Sequence, residues 1–273
     1  MTSNQNLVSA SWLAQNLDAP DVVIVDCRFQ LSDPQWGHQQ YLISHLPGAY
    51  YLDLNQDLSS PVHKHGGRHP LPDSATLAAK LATMGVEFGK TLVVAYDDSR
   101  FAFGARLWWL LRYFGHSQVA LLDGGWSNWL TQEYPITSAI PPQKTSHFVP
   151  QLQSDWIVDI ETLKAQQNLP EVLLVDSRAN NRYRGEIEPI DPIAGHIPSA
   201  INLPWQEVTD ADGFSVPLSL HQKRWQQLPN HQELILYCGS GVTACVNLLS
   251  LSLADISGAK LYVGGWSDWC SYL

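Results

Sequence analysis

Four landmarks occur twice in this 273-residue chain, in the same order. The first half reads VVIVDCR at 22–28, HLPGAYYLDL at 45–54, LVVAYDDSRFAFGARL at 92–107 and LLDGGWSNW at 121–129. The second half reads VLLVDSR at 172–178, HIPSAINLPW at 196–205, LILYCGSGVTACVNL at 234–248 and LYVGGWSDW at 261–269. The copies stand roughly 140–150 residues apart throughout, the mark of a duplicated domain. We therefore expect domains at 1–134 and 156–273, joined by a linker at 135–155. That joint carries Pro135, Pro141, Pro142 and Pro150 and no sustained apolar periodicity, which suits an extended connection.

Each half alternates strand and helix signals. Short β-branched or leucine-rich runs at 22–25, 92–96, 172–175 and 234–237 read as buried parallel strands. Helical patterns follow at 105–114 and 242–253, and Leu77, Lys80, Leu81 and Met84 share one helical face. The fold class is α/β, each domain a mostly parallel sheet flanked by helices. Ligands in such folds bind beyond the C-terminal strand ends, here after Tyr96 and Tyr237.

The balance of 26 acidic against 16 basic residues, a net charge of −10, argues against nucleic acid or an anionic membrane as partners. It leaves room for a small anion held by local arginines. No apolar run reaches membrane-span length, and the N-terminal segment does not read as a secretory leader. Cys27, Cys238, Cys245 and Cys270 form no C-x-x-C pair, so free thiols in a reducing cytoplasm are expected.

The loop CGSGVTA at 238–244 carries the chemistry. A thiol opens a glycine-containing turn between a strand and a helix. Glycines let successive N–H groups turn inward, and the helix adds its positive end. Both favour a thiolate at Cys238 and could hold a negatively charged sulfur attached to it. A structural cysteine is the bland alternative, and the strand–Cys–Gly–x–Gly–helix context outweighs it. The matching loop in the first half begins with Asp97, which cannot act as a soft nucleophile, so one live site per chain is expected.

Repeat and loop together resemble the two-domain rhodanese family, the thiosulfate and 3-mercaptopyruvate sulfurtransferases. The resemblance spans essentially the whole chain and implies two tandem rhodanese-like domains. CGSGVT is similar to the loop of the mercaptopyruvate branch; the thiosulfate branch typically has two cations after the cysteine, where this chain has Gly239 and Ser240. The resemblance implies that Cys238 becomes a persulfide, with Gly239, Gly241, Val242 and Thr243 around it, and that no metal or organic cofactor is needed. It makes Arg182 the residue that grips the anionic donor, with Arg184 substrate-proximal or exposed. It joins Asp53, His69 and Ser240 as a proton relay. The implied partners are a small anionic sulfur donor and a thiol acceptor such as a thioredoxin-like protein. One departure bears on the donor: Ile190 stands where a second substrate arginine is usual.

Arg178 has a counterpart, Arg28, in the inactive half and reads as a structural partner of Asp176; the GGW turns, also shared, read as structural. A cysteine phosphatase would need an arginine at position 244, which is Ala244. The expected activity is 3-mercaptopyruvate sulfurtransferase. The alternatives are a thiosulfate sulfurtransferase working through the same persulfide, or a non-catalytic thiol redox sensor.

Overall fold

The computed structural model describes residues 6–273. The chain forms two compact units, each with one five-stranded sheet whose pairings are all parallel. The first unit contains β1 (Leu7–Val8), β2 (Val22–Asp26), β3 (Tyr50–Tyr51), β4 (Leu92–Tyr96) and β5 (Val119–Leu122), ordered β1-β5-β4-β2-β3. Its helices are α1 (Ala10–Gln15), α2 (Trp36–Ile43), α3 (Ser74–Thr83), α4 (Gly104–Tyr113) and α5 (Gly125–Thr131). The second unit repeats the plan with β6 (Ile157–Val158), β7 (Val172–Asp176), β8 (Ile201–Asn202), β9 (Glu233–Tyr237) and β10 (Lys260–Tyr262), ordered β6-β10-β9-β7-β8. Its helices are α6 (Ile160–Gln166), α7 (Asn180–Tyr183), α8 (Leu218–Gln226), α9 (Ala244–Leu253) and α10 (Gly265–Cys270).

The central strands β2, β4, β7 and β9 are buried along all but their first residue, because helices cover both faces of a parallel sheet. This explains why they read as unbroken apolar runs. Asp26 and Asp176 end β2 and β7, and each binds the arginine two residues on: Oδ2 lies 2.6 Å from Arg28 Nη2 and 2.7 Å from Arg178 Nη2. Those guanidiniums lie over the rings of Trp126 and Trp266 at 4.1 and 5.1 Å. The structural reading of Arg178 is thus borne out. No helix among the described residues is long and apolar enough to cross a membrane.

Two features depart from the sequence expectation. The proline-rich stretch does not run free between domains, since residues 135–153 belong to the first unit. Thr137 exchanges two backbone hydrogen bonds with His45, Gln151 N donates to Phe114 O, and Phe148 is buried edge-on against Phe88. Prolines remove donors but keep their carbonyls: Pro135 O accepts from Trp129 Nε1 at 2.9 Å and Pro142 O from the Tyr50 hydroxyl at 2.8 Å, while Ser146 Oγ donates to Val86 O at 2.7 Å. The halves are also not contiguous. Pro61–Leu71 belongs to the second unit, and Thr209–Ser215 belongs to the first. These two segments occupy corresponding places in the repeat.

Candidate active site

The loop between β9 and α9 is shaped from outside by the turn after β10. Trp266 N donates to Cys238 O and Ser267 N to Gly239 O, both at 2.8 Å. Gly241 has φ +70°, and the Val263 carbonyl occupies the space a Cβ would need. Gly265 has φ +62°, and a Cβ there would lie 2.6 Å from Cys238 O. The first two carbonyls of the loop are thus held by that turn. Among the described residues, the N–H groups of Ser240, Val242, Thr243 and Ala244 find no intramolecular acceptor.

The first unit displays what such a ring of amides holds. Asp97 stands at the place of Cys238, and Trp126 N donates to Asp97 O at 2.9 Å. The Asp97 carboxylate accepts four backbone bonds: from Ser99 and Phe101 on Oδ1 at 2.8 and 3.1 Å, and from Phe103 and Gly104 on Oδ2 at 2.9 and 2.8 Å. Burial pushes this carboxyl above its ordinary value, while the four N–H groups act the other way. Ser99, Phe101 and Phe103 correspond in the repeat to Ser240, Val242 and Ala244. The loop of the first unit is therefore an anion cradle filled by the chain's own carboxylate, and in the second unit a thiol stands at the same place.

Cys238 is 1% exposed. The exchanged segment Pro61–Leu71 brings His69 to the loop, with Nδ1 2.7 Å from Ser240 Oγ and both residues buried. It is held there by Gly66 N donating to Asp268 at 2.7 Å and by His65 meeting Ser271 Oγ at 2.7 Å. Gly67, φ +78°, passes against the backbone of Gly264 where no side chain would fit.

At another border of the loop, Arg182 in α7 binds Glu188 through Nε at 3.2 Å and Nη2 at 2.6 Å, and reaches Asp191 with Nη2 at 3.2 Å. Arg178 Nη1 also reaches Glu188. Arg68 Nη1 pairs with the other oxygen of Asp191. A Cβ placed on Gly239 would lie 3.0 Å from Arg68 Nη2 and 3.7 Å from Arg182 Nη1, so both guanidiniums border the residue after Cys238.

Of the residues expected from sequence, Cys238, Gly239, Ser240, Gly241, Val242, Thr243, His69 and Arg182 all fall in the second unit around this loop. Asp53 lies in the first unit, where Oδ1 accepts from Asn55 N at 2.8 Å and Gln56 N at 2.9 Å, and Oδ2 accepts from the Tyr51 hydroxyl at 3.3 Å. Arg184 is on the surface, bound to Glu186 through Nε and Nη2 at 2.7 and 2.9 Å. Of its two expected placements, the structure takes the exposed one. Sequence reasoning missed Glu188 and Asp191 as the carboxylates that orient the arginines. Nor did it place Arg68 beside the loop. Its place directly before His69 is the one signal in the sequence that ties it to the site.

A rhodanese-like domain model matches residues 9–132 and again 159–272. The chain belongs to the rhodanese family. A probable 3-mercaptopyruvate sulfurtransferase of Pseudomonas aeruginosa is 45% identical over 272 residues, covering 98% of this chain and 95% of that protein. A Mycobacterium tuberculosis protein named provisionally as thiosulfate sulfurtransferase SseB is 38% identical, covering 98% of this chain and 94% of its own. Among solved structures, SseA of Escherichia coli, described as a 3-mercaptopyruvate sulfotransferase, superposes with a TM-score of 0.83 at 29% identity. That match covers 97% of this rhodanese-family chain and all of SseA.

Proposed function

We propose that this sulfurtransferase takes sulfur from 3-mercaptopyruvate and passes it to a thiol through a persulfide on Cys238. The observation that carries the choice of donor is the buried pair of Ser240 Oγ and His69 Nδ1, 2.7 Å apart. Thiosulfate leaves as sulfite and asks for no proton. Mercaptopyruvate leaves as the enolate of pyruvate, which must gain one at carbon.

In the proposed cycle the Cys238 thiolate attacks the mercapto sulfur, an S–S bond forms and the C–S bond breaks. The electron pair goes to the enolate. The proton that began on the mercapto group ends on that carbon, relayed by Ser240 and His69. The product pair is pyruvate and Cys238–S–S⁻. Inward N–H groups of Ser240, Val242 and Ala244 match the charge of the terminal sulfur, as their counterparts match the Asp97 carboxylate. A thiol acceptor then takes the outer sulfur and leaves the Cys238 thiolate; a thioredoxin-like protein is the class that suits, and cyanide serves in vitro. Arg182 anchors the donor's anionic end through guanidinium hydrogen bonds. Asp53 enters as the relay's third member on the family resemblance. The four free cysteines suit a reducing compartment such as the cytoplasm.

Cys238→Ser abolishes transfer from either donor. Ser240→Ala lowers kcat with 3-mercaptopyruvate by about 10²-fold or more, within the usual range for lost acid–base catalysis, and leaves thiosulfate turnover within about threefold. The assay is a side-by-side rate measurement with both donors. An equal loss on both donors removes the relay, and a wild-type preference for thiosulfate overturns the choice of donor.

A further inference from the structure

We propose that Arg68, carried into the second unit by the exchanged segment, is a second donor-anchoring residue that works as a pair with Arg182. This rests on the sulfurtransferase reading of the Cys238 loop and deepens it. The Asp191 carboxylate, 2% exposed, is the bracket: Oδ1 takes Arg68 Nη1 and Oδ2 takes Arg182 Nη2. One planar carboxylate thus fixes two guanidiniums side by side. Glu188, 3% exposed, locks the second of them further through two hydrogen bonds.

The bracket consumes only part of each fork. Among the described residues, Arg68 Nη2 and Nε and Arg182 Nη1 have no hydrogen-bond acceptor. Of these atoms, Arg68 Nη2 is the nearest to the Gly239 side of the loop, with Arg182 Nη1 just behind it. The side chains retain 25% and 17% exposure, enough for a small molecule to reach them. Burial lowers the pKa of Arg68, the neighbouring positive charge of Arg182 lowers it further, and a thiolate at Cys238 opposes both. Two like charges held together beside a nucleophile form a receptor for an anion with two oxygens, such as a carboxylate. A purely structural arginine would instead have its fork filled, as Arg178 does with Asp176, Glu188 and Gly195 O.

The pairing also answers the departure noted in the sequence. Ile190 places no cation between Glu188 and Asp191, and its side chain is 43% exposed. The second positive charge arrives instead from a segment some 120 residues earlier in the chain.

The test compares wild type with Arg68→Gln and Arg68→Lys by steady-state kinetics on 3-mercaptopyruvate and on thiosulfate. Arg182 still pairs with Asp191 in both variants, so the bracket keeps a partner. We expect Arg68→Gln to raise KM for the preferred donor about 10-fold or more, with kcat within about threefold, and Arg68→Lys to fall between it and wild type. A KM unchanged in Arg68→Gln overturns the proposal, as does a loss confined to kcat. A second readout is independent of turnover. Alkylation of Cys238 is timed with iodoacetate, an anion, and with neutral iodoacetamide. The iodoacetate-to-iodoacetamide rate ratio should drop several-fold in Arg68→Gln, and an unchanged ratio overturns the role. Failure of the sulfurtransferase reading would look different, as no persulfide on Cys238 from either donor in the wild type.

Discussion

Gly265 and Gly125 occupy equivalent places in the two units, and substituting each with alanine separates catalysis from stability. Gly265 has φ +62°, and its added Cβ would stand 2.6 Å from Cys238 O and 2.9 Å from Ser240 N. Ordinary contact begins at 3.4 Å, so the catalytic loop must retreat by about 0.8 Å. Gly125 has φ +54°, and its Cβ would press still more closely on Asp97 O. A left-handed alanine costs about 1–2 kcal/mol and a tight overpacked contact about 1–3 more, so each variant should lose ~2–5 kcal/mol of stability. The catalytic consequences diverge. A shift near 1 Å in a reacting group can cost about 10²-fold in rate. Gly265→Ala should therefore lose about 10²-fold in kcat per folded molecule with 3-mercaptopyruvate, and Gly125→Ala should keep wild-type kcat. The assay is initial-rate kinetics with the folded fraction fixed by circular dichroism at the assay temperature. Equal specific activities in the two variants would refute the view that the turn after β10 sets the geometry of the Cys238 cradle.

Three further outcomes follow from the same geometry. Asp97→Ala strands four buried N–H groups, at about 1 kcal/mol or more each before water enters, so chemical denaturation should show a loss of ~3 kcal/mol or more; Cys238→Ser should shift stability by less than about 1 kcal/mol, and similar losses would refute the contrast between a filled and an unfilled cradle. His116 is fully buried, with Nδ1 accepting from Gly89 N and Nε2 shared by the carbonyls of Thr91 and Gln118, and burial holds its pKa below the ordinary value. The unfolded chain therefore takes up the proton first, and the His116 contribution is present above pH ~6.5 and is lost as pH falls toward the folded value; the destabilisation by His116→Gln, measured in urea, should be larger at pH 7.5 than at pH 5.5, and a difference that does not shrink on acidification refutes the assignment. Asp191→Asn weakens the bracket to both arginines, so KM for 3-mercaptopyruvate should rise at least as much as in Arg68→Gln; an unchanged KM would show that the arginines hold their places without it.

Much of this protein is legible in its sequence because much of it is local. A buried parallel strand needs an unbroken apolar run, so β4 appears at its own boundaries, 92–96, and β2, β7 and β9 within one residue of theirs. The helices after both loops begin about where their periodicity does, at Gly104 and Ala244. Cys238 and its glycines are a contiguous motif, legible as letters even though the turn after β10 shapes the loop. The duplication itself is a pattern of letters.

What the letters do not carry is the company each loop keeps. Nothing in HKHGGRHPLP says that it leaves its own half to close the other half's site, because the bonds that bind it, to Asp268, Ser271 and Asp191, join residues more than 100 positions apart. Nor does the run of prolines at 135–150 announce a strap, since its anchors are one buried phenylalanine and hydrogen bonds to partners such as Tyr50 and Val86 far away in the chain. The same reason separates Arg182 from Arg184. Two residues of one family motif looked alike in sequence, yet only Arg182 meets the loop, while Arg184 is held by Glu186 in solvent. The chain's local order specifies the thiol, its loop and the fold that presents them; the distant turn after β10 shapes that loop, and the arrangement of long-range ion pairs selects which charges stand beside it.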